Sequence, residues 1–259
     1  MTVGDWIVYQ EVITVPSYLV FNPNSSGEMT ESIRRTALSQ VRPGSRVDVL
    51  GAETGPRSLE SFYEYSLAVY ATLQSFRKID MRDYDGILLA CFGDPGLYAL
   101  KEIARVPVVG IAEASLSLSL LLGSRFAIVT ALRKAVPMMK NMVDQYALGS
   151  RMAGIYSLDM PVLELETCRE RACDRLRKII DLAVDDGAEV ILLGCAGMTG
   201  FAESIGEAHG VSVIDPIIAG VRTLEMIVES GMRVASNGLY ARPSSGKELV
   251  GMDMGNLLE

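Results

Sequence analysis

Ile87–Leu97, ILLACFGDPGL, decides the fold, because it is a buried strand that ends at a cysteine and then turns on a glycine. Ile191–Phe201, ILLGCAGMTGF, has the same form 104 residues further along the chain (195 − 91). The same shift aligns Val109 with Val213, so the repeated unit is strand, Cys, glycine-rich turn, helix, strand. A repeat of this kind predicts two similar halves within one chain.

On both sides of these stretches, short runs rich in Val, Ile and Leu alternate with longer segments of helical period. The runs predict strands at SYLVFN, RVDVLG, DGILLAC, VPVVGI, SRFAIVTA, AEVILLGC and VSVID. Apolar strands separated by helices are typical of parallel sheets. We therefore predict an α/β fold with two pseudo-twofold-related lobes, each a parallel sheet flanked by helices. The predicted first lobe holds residues 17–114 with 216–259, the second holds 115–215, and residues 1–16 form an N-terminal extension.

Composition limits the location and the partners of the protein. The chain has 259 residues, 49% of them hydrophobic, which is enough to bury a sizeable core. No apolar run approaches the ~18 residues of a membrane helix, and Asp5 and Glu11 stand where a signal peptide carries basic residues. A net charge of −8 with interspersed signs argues against nucleic acid. We expect a cytoplasmic homo-oligomer that binds a small molecule and neither nucleic acid nor membrane.

The four cysteines are predicted to be free thiols, because the chain is long and shows no export signal. Cys91 and Cys195 end equivalent strands, and ligands of open parallel sheets bind at those strand ends. A cysteine in this position is often only a small buried hydrophobe, but its repetition before a glycine turn favours chemistry. Cys168 and Cys173 are five residues apart in a charged helix, and we assign them structural or surface roles.

Other catalytic motifs are absent from the sequence. His209 is the only histidine, and it precedes Gly210 at a predicted helix end, which does not suit a catalytic triad. The chain contains no G-x-S-x-G elbow, no H-E-x-x-H zinc motif, no phosphate loop and no G-x-G-x-x-G dinucleotide motif. We therefore predict no metal and no cofactor, and the pair of thiols remains the candidate for chemistry.

A pair of thiols can act as a nucleophile or as two proton carriers. Inverting a carbon beside a carbonyl requires a base on one face and an acid on the other, which two opposed thiols would supply. Both cysteines precede predicted helices, so we expect helix N-termini to lower the thiol pKa from its usual value of about 8.5. The developing enolate oxygen needs donors, and backbone N–H groups after each cysteine, Asn24, Ser25 and Thr130 are the candidates.

Four motifs resemble those of the hydantoin and allantoin racemases of the aspartate/glutamate racemase superfamily. They are FNPNSSGEMTESI (21–33), CFGDPGL (91–97), PVVGIAEA (107–114) and LGCAGM (193–198), and the resemblance runs from about residue 18 to residue 250. It implies a two-lobed α/β fold, racemisation by two cysteines without a cofactor, and a five-membered ureide ring as substrate.

The resemblance also assigns site residues. Cys91 and Cys195 match the catalytic pair. Asn24 and Ser25 match the ligand-binding turn after the first strand, and Gly93, Ala196 and Gly197 lie in the turns that donate amides. The sequence itself adds two substrate-binding candidates, Phe92 directly after the first cysteine and the hydroxyl donor Thr130. Phe92 is expected either to pack on the substrate ring or its substituent, or to belong to the core.

The substrate is predicted from the character of the turns. Asp94 is the only charge that they carry, which disfavours a free amino acid, and Phe92, Met198 and Phe201 favour a 5-substituted hydantoin over allantoin. Three alternatives stay open. They are an aspartate/glutamate-type racemase, an enzyme that resembles maleate isomerase and uses one cysteine as a nucleophile, and a non-catalytic sensor of a small molecule.

Overall fold

Two parallel sheets of four strands each form the frame of the molecule. The computed structural model describes residues 15–244. The strands are β1 (Ser17–Asn22), β2 (Arg46–Gly51), β3 (Gly86–Leu89), β4 (Val108–Gly110), β5 (Phe126–Thr130), β6 (Met152–Ser157), β7 (Val190–Leu193) and β8 (Ser212–Ile214). Their order is β2-β1-β3-β4 in one sheet and β6-β5-β7-β8 in the other, and all paired neighbours are parallel. The predicted α/β fold with two parallel sheets is confirmed.

Helices connect the strands and cover the sheets. They are α1 (Gly27–Gln40), α2 (Phe62–Phe76), α3 (Leu97–Ile103), α4 (Ile111–Leu122), α5 (Val136–Gln145), α6 (Glu164–Thr167), α7 (Arg169–Asp185), α8 (Ala202–His209) and α9 (Pro216–Glu229). The last helix of each half crosses to the other half. α4 follows β4 but contacts β7, whereas α9 follows β8 but contacts β3, and the two helices pack against each other.

The sequence repeat coincides with the strands. A shift of 104 residues carries β3 onto β7 and β4 onto β8, and the strand order is the same in both sheets. Every residue of β3 and of β7 is buried, because both strands have neighbours on either side and helices over their faces. Consequently Cys91 and Cys195 lie at equivalent positions, each two residues after the end of its strand, β3 or β7.

Strand β6 was missing from the sequence prediction. All six of its residues are half-buried, since it is the edge strand of the second sheet and pairs only with β5. An edge strand needs no continuous apolar run, and Gly154 further weakens the pattern. The helical segment before β7 is divided at Cys168 into α6 and α7.

Some predicted regions fall outside residues 15–244. The N-terminal extension (1–16) does so except for its last two residues, and so does the end of the predicted first lobe (245–259). Within the part that the structure describes, no helix has the length and apolar character needed to cross a membrane.

Candidate active site

The turns after β3 and β7 have the same backbone hydrogen bond. The Cys91 carbonyl accepts from the N–H of Asp94 at 3.0 Å, and the Cys195 carbonyl accepts from the N–H of Met198 at 3.0 Å. Gly93 adopts a φ of +111°, a left-handed conformation that favours glycine over any residue with a Cβ. The two cysteines therefore begin turns that share a backbone hydrogen bond, and each turn follows a fully buried strand.

In the first half, Asp94 anchors the turn to the next helix. Its carboxylate accepts from the backbone N–H groups of Ala112, at 3.1 Å, and Glu113, at 2.8 Å, in the first turn of α4. Gly110 makes room for it, because a Cβ there would lie 2.5 Å from Asp94 Oδ1. Burial raises the pKa of Asp94 to about 7, although the two N–H groups act in the opposite direction.

In the second half, the carboxylate that joins the turn to the helix comes from the start of the helix and not from the turn. Asp215 is the N-cap of α9 and accepts from the N–H groups of Ile217 and Ile218. The same carboxylate accepts from Thr199 Oγ1 at 2.8 Å and from the Gly200 N–H at 2.7 Å, both in the turn after Cys195. Each half thus has one buried carboxylate that joins turn and helix, but the turn supplies it in one half and the helix in the other.

Both thiols line one pocket between the two sheets. The pocket is partly open to solvent, and Cys91 and Cys195 are each half-buried beside it. Asn24, Phe92, Thr130 and Ala196 from the predicted set also line it. The lining therefore contains residues from the ends of β1, β3, β5 and β7, the central strands of the two sheets.

Three predicted binding residues lie beside the pocket without lining it. The Ser25 hydroxyl donates to the carbonyl of Gly55 at 2.9 Å, so it fixes the loop before α2. Gly93 packs against the ring of Tyr65, and Gly197 is close to the Cys195 sulfur. As substrate-binding residues, Ser25, Gly93 and Gly197 remain predictions.

Asn24 presents its amide nitrogen to a weak acceptor. Its Oδ1 accepts from Asn22 Nδ2 at 3.0 Å and from the Ser26 N–H at 2.9 Å, which fixes the orientation of the amide. Its Nδ2 lies 3.1 Å from the sulfur of Met29, and a thioether is only a weak acceptor. A ligand carbonyl in the pocket would be a better partner for this donor.

Backbone donors are available after both cysteines. Within residues 15–244, no acceptor pairs with the N–H groups of Phe92 and Gly93, or with those of Ala196 and Gly197. Phe92 and Ala196 line the pocket. Unpaired N–H groups beside a pocket can bind a carbonyl or enolate oxygen, which is the role predicted for these turns.

Among the described residues that line the pocket, the charged one is Glu60, which lies outside the turns that carry Asp94 as their only charge. Asp94 turns away to α4, whereas Glu60 comes from the loop between β2 and α2. Glu60 Oε1 accepts from the Val162 N–H of the other half at 3.0 Å. No motif signals Glu60, because its position depends on a loop that crosses between the halves.

The apolar lining also differs from the predicted one. Met198 and Phe201 are buried in the core beneath the turn and do not line the pocket. The apolar side chains that do line it, besides Phe92, come from loops and from α5, and include Leu59, Leu132, Ala135, Met139 and Val162. Phe92 belongs to the core and also lines the pocket, and its packing on a substrate ring stays a prediction.

The expectation that a helix N-terminus would lower the pKa of Cys91 is wrong. α3 begins only at Leu97, six residues after the cysteine, and Gly96 is its N-cap. Burial raises the pKa of the Cys91 thiol well above its usual value, and negative charge on Cys195 and Asp94 raises it further. Cys91 is therefore held as a neutral thiol.

This protonation state predicts slow alkylation of Cys91. Iodoacetamide reacts with the thiolate, so its rate at Cys91 should be low at pH 7 and rise about tenfold per pH unit up to pH 9. Peptide mapping after timed alkylation measures the rate at this residue. A cysteine-containing peptide of ordinary pKa is the reference, because its rate levels off near pH 9. A plateau for Cys91 below pH 8 would contradict the raised pKa.

The other titratable candidates lie away from the pocket. His209 ends α8, where its Nδ1 faces the Ile205 carbonyl at 2.8 Å and its Nε2 lies 3.3 Å from Asp181 Oδ1. Cys168 and Cys173 are half-buried and pack against the core. Among the side chains that the structure describes, no group of three or more His, Cys, Asp or Glu residues is arranged to hold a metal ion.

The sequence profile of the Asp/Glu/Hydantoin racemase family matches residues 19–224, which include both cysteine turns and all the described strands except the first two residues of β1. The chain belongs to the Asp/Glu/Hydantoin racemase family. It is accordingly an isomerase of the racemase type.

Relatives within this racemase family are similar over almost the whole chain. A hydantoin racemase of Pseudomonas sp. (strain NS671) is 39% identical over 90% of this chain and 93% of its own length. An allantoin racemase structure from Pseudomonas fluorescens has a TM-score of 0.87 and 33% identity, covering 91% of this chain and all of that one. One from Klebsiella pneumoniae has a TM-score of 0.85 and 32% identity, covering 93% of this chain and 98% of that one.

Proposed function

We propose that this racemase inverts a cyclic ureide, a 5-substituted hydantoin or allantoin, by 1,1-proton transfer between two cysteines and without a cofactor. The observation that carries the proposal is that Cys91 and Cys195 line one pocket from equivalent strand ends of the two halves. A ring bound between them would present one face of its stereocentre to each sulfur. This is the arrangement that inversion by an acid and a base requires.

The reaction follows from the protonation of the thiols. Because burial raises the pKa of the Cys91 thiol, Cys91 carries the proton that is donated in one direction of the reaction, and Cys195 acts there as the base. Cys195 then removes the Cα proton of one enantiomer, and the electron pair moves into the ring carbonyl. Cys91 donates its proton to the opposite face of the carbon. The enantiomer of opposite hand reacts with the roles exchanged.

The oxygen of the enolate intermediate needs donors that are already in place. The N–H groups of the two turns and the Asn24 amide nitrogen are the groups beside the pocket that can supply them. Each well-placed donor of this kind contributes about 10² to 10³ in rate in enzymes that stabilise an oxyanion. In this mechanism the increased acidity of the Cα proton comes from the substrate carbonyl and from these donors.

Charge in the pocket favours a ureide over a free amino acid. No Lys or Arg is among the described residues that line the pocket, and Glu60 would repel a second carboxylate. Aspartate or glutamate would therefore lose its solvation without gaining counter-charges. A neutral ring that alternates C=O and N–H groups matches the amides, the hydroxyls and the backbone donors.

The apolar lining favours a hydantoin with an aliphatic or aromatic substituent over allantoin. Leu132, Ala135 and Met139 contribute one side of the pocket, and Leu59 and Val162 contribute from loops of the two halves. Transfer of a branched or aromatic group from water to such a surface gains binding free energy, whereas the ureido group of allantoin would lose its hydrogen bonds to water there.

The test compares kcat/KM for 5-benzylhydantoin, 5-isopropylhydantoin, allantoin, aspartate and glutamate, with loss of optical rotation as the measurement. We expect the benzyl and isopropyl compounds to exceed allantoin by about tenfold, equivalent to roughly 1.4 kcal/mol of transition-state binding, and the amino acids to be inactive. Activity should persist after dialysis against EDTA. A tenfold preference for either amino acid, or loss on chelation with recovery on adding a divalent ion, would overturn the proposal.

A further inference from the structure

The carbonyl of Phe92 lies within reach of two possible donors. The Tyr65 hydroxyl donates to it at 2.8 Å. The Cys91 sulfur is 4.0 Å from the same oxygen, which is the outer limit of a hydrogen bond from a thiol. A carbonyl oxygen can accept two hydrogen bonds, but the short bond from the stronger phenol donor makes it a weaker acceptor for the thiol proton, which is left with a long contact.

Tyr65 is fixed against the turn. It lies on α2, lines the pocket and packs against the core. A Cβ on Gly93 would come within 2.5 Å of its hydroxyl oxygen and within 2.9 Å of its Cε2. The ring thus occupies the space that a side chain at Gly93 would need, and its hydroxyl is directed at the Phe92 carbonyl.

Tyr65 is also close enough to both thiols for their charges to affect the pKa of its hydroxyl. Burial raises its pKa well above the usual value, and the charges of Cys91, Cys195 and Asp94 raise it further. The phenol is consequently neutral throughout the working pH range, so it acts as a hydrogen-bond donor and not as a base.

The turn after Cys195 has different neighbours. Apart from the Cys195 sulfur, the atoms nearest to a Cβ on Gly197 would be the apolar ends of Leu165, at 3.6 Å, and Met29, at 3.7 Å. At the equivalent position of the first turn the nearest atoms belong to the Tyr65 phenol. The two cysteine turns, which share one backbone hydrogen bond, therefore differ in what packs against them.

We propose that Tyr65 is a positioning residue for proton transfer at Cys91, because its short hydrogen bond to the Phe92 carbonyl weakens the hold of that carbonyl on the thiol proton. The S–H is then more available to the substrate. When the S–H bond breaks, the proton joins Cα, the electron pair of the bond stays on the sulfur, and the enolate pair forms the new C–H bond. This role rests on the proposed racemisation, but its effect on the thiol can be measured without any substrate.

Tyr65→Phe tests the role, since it keeps the ring and removes only the hydroxyl. The freed carbonyl should then bond to the Cys91 S–H and stabilise the neutral thiol. We expect alkylation of Cys91 by iodoacetamide to slow at least about threefold between pH 7 and pH 9, where the rate follows the thiolate fraction. Cys91 and Cys195 fall in separate tryptic peptides, 83–101 and 179–222, so one digest reports both rates. The rate at Cys195 should change less than twofold.

Racemisation provides the second readout. Tyr65→Phe should lower kcat about tenfold with little change in KM, because the affected step is proton transfer and not binding. Tyr63→Phe is the matched control, since Tyr63 lies on the same helix and is 74% exposed, and it should keep the parental kcat.

Three outcomes would overturn the inference. Parental alkylation and parental kcat in Tyr65→Phe would show that the hydroxyl has no role. Equal changes at both cysteines, with a lowered melting temperature, would show that Tyr65 is only structural. Slower alkylation of Cys91 without any change in kcat would show that the Tyr65 contact affects the thiol but not catalysis. If the parent racemises no ureide, the proposed function fails, while the alkylation rates still decide whether Tyr65 controls the Cys91 thiol.

Discussion

Replacing Cys91 or Cys195 by Ala is expected to lower kcat for racemisation by about 10³-fold or more. The two thiols line the pocket from different halves, so each can serve only one face of the stereocentre. A positioned acid or base contributes about 10² to 10⁴ in rate, and inversion requires both. Polarimetry on a single enantiomer of 5-benzylhydantoin measures the loss.

Hydrogen exchange in D₂O separates this mechanism from a merely structural effect. Each single variant retains one thiol and should still exchange the Cα hydrogen of one enantiomer for deuterium, without inverting it. Cys168→Ala and Cys173→Ala are the matched controls, because these half-buried thiols do not line the pocket, and they should racemise at the parental rate. A Cys91→Ala or Cys195→Ala variant that racemises normally would reduce that cysteine to a packing role.

Asp215→Ala is expected to destabilise the fold by about 3 kcal/mol, because buried donors would lose their shared acceptor. The carboxylate is 4% exposed and accepts from Thr199 Oγ1, the Gly200 N–H and two N–H groups at the start of α9. For a chain of this size the loss corresponds to a fall in Tm of about 6 to 12 °C, measurable by calorimetry.

Two variants control for the general effect of removing a carboxylate. Asp174→Ala removes one that is 71% exposed and paired with Arg177 on the surface of α7, and should change Tm by less than about 2 °C. Asp215→Asn keeps one acceptor oxygen and should fall between the parent and Asp215→Ala. If Asp215→Ala melts within 2 °C of the parent, the carboxylate is not a stabilising anchor.

The repeat made most of the fold predictable. Because β3 and β7 are buried on both faces, their sequences are continuous apolar runs, and the shift between them is constant. Helix α1 starts directly after Ser26, a residue type that favours the N-cap position. Edge strand β6 was not predictable from its sequence, because half-buried positions leave no clear alternation.

The site was predictable only where it coincides with strand ends. Cys91, Cys195, Asn24 and Thr130 all follow or end central strands, and the topology brings those ends together. Tyr65 and Glu60 precede or open α2, far from any recognisable motif, and only tertiary packing brings them to the pocket. The pKa of Cys91 was likewise mispredicted, because burial and its charged neighbours cannot be read from the residues beside it.

The opposite anchoring of the two turns limits how the halves can be recombined by engineering. Transplanting the segment 91–97 onto 195–201 would put a carboxylate where the Met198 side chain is fully buried, in the half where Asp215 already serves the turn. The reverse transplant would remove the Asp94 carboxylate that accepts from the Ala112 and Glu113 N–H groups in the first turn of α4. A chimaera must therefore exchange each cysteine turn together with the start of the helix that it contacts, and that pair of segments is the smallest interchangeable module of this protein.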